Sequence, residues 1–193
     1  MASRVRREAA YGSARLPCRV PVTVTGDGGE LRATSRAWSR TSRASPPATS
    51  PRRRPASDLD PALPPRMAYA GARHLVVAAA TRDRLARLGD GFARLEALMR
   101  RLDLTTLQLV WRESARVFHV RDPFPVGGVV EDPATGAAAA AFGAYARTLT
   151  VVPDDAVLTL HQGADMGRPG TLTVELRPGD PRIRVSGTGT RIG

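Results

Sequence analysis

Polar and apolar residues alternate in several short runs of the chain, which is the pattern of strands with one buried face. In the first run, at 19–25, three valines alternate with polar residues. Two longer runs, 106–114 and 115–122, are joined by a polar turn. Three further runs near the C-terminus are separated by Gly and Pro turns, at 156–161, 171–177 and 182–186. The chain is therefore predicted to be rich in strands.

Three other segments have the patterns of a buried strand and of two amphipathic helices. The continuous apolar run at 75–80 predicts a buried strand, and it is followed by Thr81, a good helix cap. A short helix is predicted over 81–90. A second helix over 90–104 starts at Asp90 and places its large apolar residues on one face. We expect both helices to be packing helices, with their arginines in solvent.

The segment 131–147, EDPATGAAAAAFGAYAR, predicts a central helix. Beyond Gly136 nearly all side chains are methyl groups, and Phe142 and Tyr145 are the bulky exceptions. A helix that is apolar on all sides is a buried one. Strands wrapped around this helix would cover all of its faces, so the sequence predicts an α+β domain in which antiparallel strands surround one helix.

Two starting points for this helix fit the sequence equally well. Asp132 can act as the N-cap, with Pro133 at the first helical position, where no amide donor is needed. Alternatively, Thr135 is the cap and residues 131–134 form a loop that leads into the helix. In both cases the free amides of the first turn lie near Gly136 and favour an anion or a carboxylate. The competing interpretation is a plain core helix with a capped start.

The positive charge of the chain is concentrated in its first third. Residues 1–66 carry 13 arginines and 5 acids, whereas residues 67–193 carry 16 arginines and 13 acids. The first segment is rich in Ser, Pro and Ala, so we expect residues 1–66 to be largely disordered, with a strand at 19–25. The run Arg52–Arg54 is interpreted as part of a solvated linker rather than as a phosphate-binding tail. The remaining residues, 67–193, suffice for one domain.

Composition argues against several classes of function. Every basic residue other than histidine is an arginine, which indicates a compositional bias and makes nucleic acid an improbable partner. The single cysteine, Cys18, excludes an internal disulfide, and three histidines far apart in sequence predict no metal site. The sequence has no apolar run of membrane-spanning length and no signal-peptide core, so we expect a cytoplasmic protein without a membrane partner.

Three motifs together resemble the C-terminal half of the PhzF-like isomerase family of phenazine biosynthesis. They are VRDPFPVGGVVEDPATGAAAAAFGAYA, HQGADMGRPGTLTVEL and RIRVSGTGTRI. The segment AYAGARHLVVAAATRDRLARL adds to the likeness, which covers about residues 67–193. The EDPATG block followed by QG-x-x-MGRP is a specific signal.

The resemblance implies a fold like that of diaminopimelate epimerase, in which each of two similar domains wraps strands around a central helix. It also implies a proton shift on a small carboxylate substrate without a cofactor, and usually a homodimer. Family members place the active site between the two helix N-termini. Their first domain supplies a glutamate that carries the proton, together with a Gly-His-Pro segment.

Transferred to this chain, the resemblance makes Asp132 the catalytic aspartate of the second domain. It makes Thr135 and Gly136 the turn that presents backbone amides to the substrate carboxylate, with Ala137 at a position where the family commonly has serine. Glu131 is a further substrate-site candidate, which orients the loop or pairs with an arginine such as Arg168. The alternative is a loop acid that faces solvent.

The first-domain part of such a site is not recognisable in residues 1–66. This segment has no histidine and no Gly-His-Pro, and its glutamates, Glu8 and Glu30, lie in unsuitable contexts. The chain thus resembles a second domain whose partner domain is missing or replaced. We expect an isomerase that is complete only with a chain supplying the first domain. The alternative is a non-catalytic domain for ligand binding or interaction, derived from this family.

Overall fold

The central element of the fold is the helix α3 (Gly136–Thr148), which contacts strands from both ends of one curved sheet. The computed structural model describes residues 5–11, 18–27, 30–38, 40–42, 58–89 and 91–190. Two smaller helices, α1 (Arg82–Ala86) and α2 (Phe92–Leu102), follow the buried strand predicted at 75–80. The prediction of an α+β domain built around one buried helix is confirmed.

Twelve strands form the sheet in the described part of the chain. They are β1 (Val5–Tyr11), β2 (Cys18–Asp27), β3 (Glu30–Trp38), β4 (Arg40–Ser42), β5 (Arg66–Tyr69), β6 (Arg73–Ala78), β7 (Thr106–Arg112), β8 (Val117–Pro123), β9 (Glu131–Asp132), β10 (Val157–Gln162), β11 (Gly170–Arg177) and β12 (Asp180–Thr190). Their order is β1-β2-β3-β12-β11-β10-β8-β7-β6-β5-β4, and β9 pairs with β8. Most neighbours are antiparallel, as predicted, but β6–β7 and β8–β10 are parallel pairs, so the sheet is mixed.

The N-terminal segment contains strands where the structure describes it, and the expectation that it is largely disordered stays a prediction. Strands β1 to β4 lie before residue 66, and the strand expected at 19–25 lies within β2. Because β3 pairs with β12 and β4 pairs with β5, the sheet continues across the boundary placed between residues 66 and 67. That boundary stays a prediction. The arginine run Arg52–Arg54 and the helix start at Asp90 lie outside the described residues.

The core is packed on α3 as its composition predicts. Every residue from 138 to 146 is buried. Phe142 meets Phe118 of β8 edge to face, with ring centroids 4.9 Å apart, and the Tyr145 hydroxyl donates a hydrogen bond of 2.9 Å to the Pro64 carbonyl. The small side chains allow β11 and β12 to approach the helix closely. Burial of apolar surface on all sides of one helix is thus the main source of stability.

Gly143 of α3 lies so close to the sheet that one added methyl group is predicted to destabilise the protein. A Cβ at Gly143 would lie 2.7 Å from Val174 Cγ1 and 2.9 Å from Ile183 Cγ2, and both side chains are stiff because they are β-branched. Gly143→Ala is therefore expected to destabilise the protein by about 1–2 kcal/mol, although alanine favours a helix. Urea unfolding followed by circular dichroism measures this loss. The control Gly136→Ala meets no atom within 4 Å and should not destabilise.

The two smaller helices pack beside the sheet as predicted. The Thr81 hydroxyl accepts a hydrogen bond of 3.1 Å from the Arg84 amide and caps α1, which contacts β7 and β8. Met99 is the buried residue of α2, and this helix contacts the 3-10 turn Pro125–Gly127. Within the described residues, no helix combines the length and apolar character needed to cross a membrane.

Candidate functional site at the first turn of the central helix

The helix start decides between the two alternatives left open by the sequence. Thr135 is the cap residue and Gly136 is the first helical residue, so residues 131–134 form the loop that leads into α3. The Thr135 carbonyl accepts the first intrahelical hydrogen bond, of 3.0 Å, from the Ala139 amide. The alternative with Asp132 as the cap and Pro133 at the first helical position is wrong.

Two amides of this first turn, those of Gly136 and Ala137, have no hydrogen-bond acceptor among the described residues and belong to partly exposed residues. The Ala138 amide also has no acceptor there, but Ala138 is fully buried. The Thr135 side chain does not cap them either. These donors stand at the positive end of a helix of 13 residues. The arrangement suits the oxygen atoms of a carboxylate.

Asp132 lies beside these amides and is held by the same loop. One carboxylate oxygen, Oδ2, accepts a hydrogen bond of 2.8 Å from the Thr135 hydroxyl, and Oδ1 accepts a longer one of 3.4 Å from the Ala134 amide. The side chain is partly exposed. The structure therefore brings Asp132, Thr135, Gly136 and Ala137 together at one helix end, while their roles stay predictions.

Gln162 fixes this loop from the end of β10, and sequence reasoning missed it. Its Nε2 donates to the Asp132 carbonyl at 2.8 Å and to the Thr135 hydroxyl at 2.9 Å, while its Oε1 accepts from the Thr135 amide at 3.0 Å. The residue is 1% exposed. A signal existed in the sequence, because Gln162 follows Leu158 and Leu160 in the buried phase of the strand. A polar residue in that phase needs partners.

Gly163 allows the turn after β10 to lie against the loop. Its φ of +80° suits glycine, and a Cβ there would lie 2.1 Å from the Arg168 carbonyl oxygen and 3.1 Å from that of Pro133. The Arg168 amide donates back to the Gly163 carbonyl at 2.9 Å. In the QG pair of the sequence, Gln162 thus holds the loop by hydrogen bonds, and Gly163 allows the close backbone contact.

Glu131 is buried and paired with an arginine, as one of the alternatives given for it expected, but the arginine is Arg121 of β8. Arg121 of β8 donates from Nε to Oε1 at 3.0 Å and from Nη2 to Oε2 at 2.6 Å. Glu131 is 5% exposed and Arg121 is 7% exposed. Arg121 also donates from Nη1 to the Ala86 carbonyl at 2.6 Å. Its partner is therefore Arg121 rather than Arg168, and it does not face solvent, because the loop folds back on β8.

Three buried polar side chains, those of His74, Thr106 and Asp122, form a row that ends beside the strand of Asp132. His74 Nδ1 lies 2.8 Å from the Thr106 hydroxyl, and this hydroxyl donates to Asp122 Oδ1 at 3.2 Å. Burial lowers the pKa of His74 to about 4. Burial also raises the pKa of Asp122, and the charges of Asp132 and Glu131 raise it further, against the hydrogen bond from Thr106.

The other two histidines lie in an open groove of about 440 Å³ outside this cluster. His119 and His161 are neighbours on the parallel strands β8 and β10, with ring centroids 5.1 Å apart, and Arg82 lines the same groove. In the described ranges, no group of three or more potential ligands is arranged to hold a metal ion. The side chains of Glu8 and Glu30 lie outside the described residues.

A family model described as "Phenazine biosynthesis-like protein" matches residues 30–192. The match covers most of the chain and includes β3 to β12. It also includes the helix start and the Gln162 clamp. No curated protein sequence matches the chain significantly.

Solved structures of the same fold come from several bacteria. A "Predicted Epimerase" from Pseudomonas aeruginosa matches with a TM-score of 0.69 and 22% identity over 97% of this chain and 67% of its own. A phenazine biosynthesis protein of the PhzF family from Bacillus anthracis gives a TM-score of 0.65 and 20% identity over 89% of this chain and 62% of its own.

A probable proline racemase from Agrobacterium radiobacter, solved with bound carbonate, has a TM-score of 0.60 and 13% identity. The match covers 96% of this chain and 59% of that one. The chain therefore spans about three fifths of the Bacillus and Agrobacterium proteins. At such low identities the likeness establishes the fold and not the reaction.

Proposed function

The chain belongs to the PhzC-PhzF family of phenazine biosynthesis-like proteins, and from this membership we propose that it takes part in a cofactor-free proton transfer on a small carboxylate-bearing metabolite. The observation that carries the proposal is the pair of free amides at Gly136 and Ala137, in the helix turn that follows the Asp132 loop. In this proposal the chain is the second domain of an isomerase.

The substrate carboxylate is held by the first turn of α3. The amides and the helix dipole favour a negative charge there. Two nearby acids add little negative charge of their own, since Glu131 is neutralised by Arg121 and Asp165 is paired with Arg82 at 2.9 Å. A carboxylate therefore meets donors at this end of the helix, and the negative charge that opposes it is that of Asp132.

Asp132 is the proton-handling group in this arrangement. A base must come within hydrogen-bond distance of the proton it accepts, in a geometry fixed before the reaction. The Thr135 hydroxyl holds one Asp132 oxygen, and Gln162 holds the Asp132 backbone and Thr135 together. The carboxylate is partly exposed, and these hydrogen bonds fix its position in the loop before α3.

Ala137 weakens the site without removing it. A serine at this position adds one neutral hydroxyl, whose hydrogen bond is worth on the order of 1 kcal/mol. The backbone donors are unaffected by its loss. Reduced affinity for the substrate carboxylate follows, and abolished binding does not.

A second proton-transfer group belongs to a part of the site that this chain does not supply in its described residues. We propose that another chain carrying a first domain completes the site, and that a homodimer of this chain is the other assembly to test. One observation supports a protein contact at this position. Val129 and Val130, directly before Glu131, are 49% and 59% exposed. Apolar residues at the mouth of a site suit a protein contact.

The competing function is a ligand-binding or interaction domain without turnover. It shares the fold and the family with the isomerase but predicts no response of the helix amides to a small acid. The two proposals therefore differ in one measurable property of Gly136 and Ala137.

The test is an amide NMR titration of the full chain with 3-hydroxyanthranilate, a small aromatic hydroxy acid. We expect the Gly136 and Ala137 amides to shift selectively, because they are the free donors of the first turn. The variant Gly136→Pro removes one donor at a helix position that favours proline, and open space surrounds Gly136. Loss of a hydrogen bond to a charged group should weaken binding roughly tenfold to hundredfold.

Two results would contradict the carboxylate site. One is a well-dispersed spectrum in which neither amide responds, which leaves the interaction domain as the function. The other is equal affinity of wild type and Gly136→Pro, which would place the ligand elsewhere.

A further inference from the structure

Asp122 is a buried carboxyl group that forms no ion pair with any residue the structure describes. It is wholly buried at the end of β8. Its Oδ1 accepts a hydrogen bond from the Thr106 hydroxyl, and in the part of the chain that the structure describes its Oδ2 has no partner. Removing an ionised carboxylate from water without a cation is costly enough that such a group takes up a proton instead.

The groups that face Asp122 also oppose a negative charge there. From β9, its cross-strand neighbour is Asp132, and Glu131 is the next acid. From β6, His74 reaches it through Thr106 and is kept neutral by burial, which lowers the pKa of His74 to about 4. Arg121 precedes it in the strand, so its side chain points to the opposite face and binds Glu131. The first turns of α3 carry no titratable residue.

We propose that Asp122 carries a proton in the folded protein and that this neutral acid is a positioning residue, which keeps its neighbour Asp132 ionised. Two carboxylates on adjacent strands disfavour each other's charge, so a proton on one favours ionisation of the other. With the proton on Asp122, both Asp132 oxygens stay acceptors for the Thr135 hydroxyl and the Ala134 amide. Only the role of Asp132 in proton transfer rests on the proposed function.

The proton on Asp122 has a cost in stability that depends on pH. The raised pKa means that the folded state keeps a proton which the unfolded chain releases above about pH 4. Between that pH and the raised pKa of Asp122, each pH unit increases the contribution of this group to the unfolding equilibrium constant tenfold. A polar residue kept at such a cost beside a candidate site is a sign of function.

The first experiment compares the pH dependence of unfolding by urea in wild type and Asp122→Asn. Asparagine resembles the neutral acid but binds no proton. We expect the variant to gain stability relative to wild type as the pH rises above about pH 4, with an advantage in the unfolding equilibrium of up to tenfold for each pH unit. Asp155→Asn makes the same change in an exposed loop and should keep the wild-type dependence. Equal pH dependence in Asp122→Asn and wild type overturns the proposal.

The second experiment uses wild type, so it does not depend on the variant folding. Carboxyl ¹³C NMR of aspartate-labelled protein should show Asp122 still protonated at a pH at which the exposed aspartates are ionised. The Asp132 signal should move when Asp122 loses its proton at higher pH, and Asp122→Asn should remove that step. If the Asp122 signal titrates with the exposed aspartates, the proposal that Asp122 is protonated is wrong. If the Asp132 signal does not respond when Asp122 loses its proton, the positioning role is wrong. No ligand is needed, so this result is separate from that of the carboxylate titration.

Discussion

The variant Arg121→Met is expected to lose about 3–5 kcal/mol of unfolding free energy, because it leaves the Glu131 carboxylate buried without a cation. Glu131 is 5% exposed and receives its charged hydrogen bonds from Arg121. The Ala86 carbonyl loses its hydrogen bond from Arg121 and keeps only the one from the Leu88 amide, at 3.2 Å, so the contact between α1 and β8 is weakened. The expected midpoint of urea unfolding is therefore much lower, at an unchanged slope.

Two further variants separate the burial of the pair from the loss of a charge. The double variant Arg121→Met with Glu131→Leu removes both charges and should recover much of the lost stability, since paired apolar residues often replace a buried ion pair without cost. Arg177→Met breaks an exposed pair with Glu175, whose atoms are 2.6 Å apart, and should cost less than about 1 kcal/mol. If Arg121→Met is as mild as Arg177→Met, the pair does not stabilise the loop.

Much of the fold follows from patterns that are local in sequence. The apolar helix at 136–148 and the alternating strands at 157–162 and 170–177 each contain their own signal, and the structure contains all three. The parallel pairs β6–β7 and β8–β10 were not predicted. Their neighbours are far apart in the chain, so only the closure of the whole sheet decides the pairing.

The same distinction applies to the candidate site. Asp132, Thr135 and Gly136 lie within five residues, so their proximity followed from one motif. Glu131 and Arg121 lie ten residues apart on β9 and β8, and their contact depends on the path of the loop between these strands. Sequence reasoning therefore chose a different arginine.

Asp122 was missed for a similar reason. In the sequence it is an acid at the end of a strand, next to a proline, and such an acid is usually exposed. Its burial results from coverage by the row of His74, Thr106 and the loop at 131–132, which comes from three separate elements. A hydrophobic pattern alone does not indicate that a polar residue will be covered in this way.

Gln162→Leu is the other variant with a large expected effect, on stability and on the site together. Leucine keeps the size of the side chain but removes three hydrogen bonds, to the Thr135 amide, the Thr135 hydroxyl and the Asp132 carbonyl. A buried polar group left without its partner costs about 1–3 kcal/mol, so we expect a loss of about 3 kcal/mol in total. The loop before α3 is also no longer tied to β10, and binding of 3-hydroxyanthranilate should weaken at least tenfold.

Gln108→Leu is the matched control for this experiment. Gln108 is equally buried, but in the described part of the chain both of its amide atoms lack a partner. The same substitution there removes a desolvated amide without breaking a hydrogen bond, and it should be neutral or stabilising. Urea unfolding measures the stability of both variants, and the amide titration measures their binding of 3-hydroxyanthranilate. Equal losses in the two variants would mean that the size of a buried glutamine is what matters, whereas a loss confined to Gln162→Leu means that its hydrogen bonds hold the Asp132 loop on the helix end.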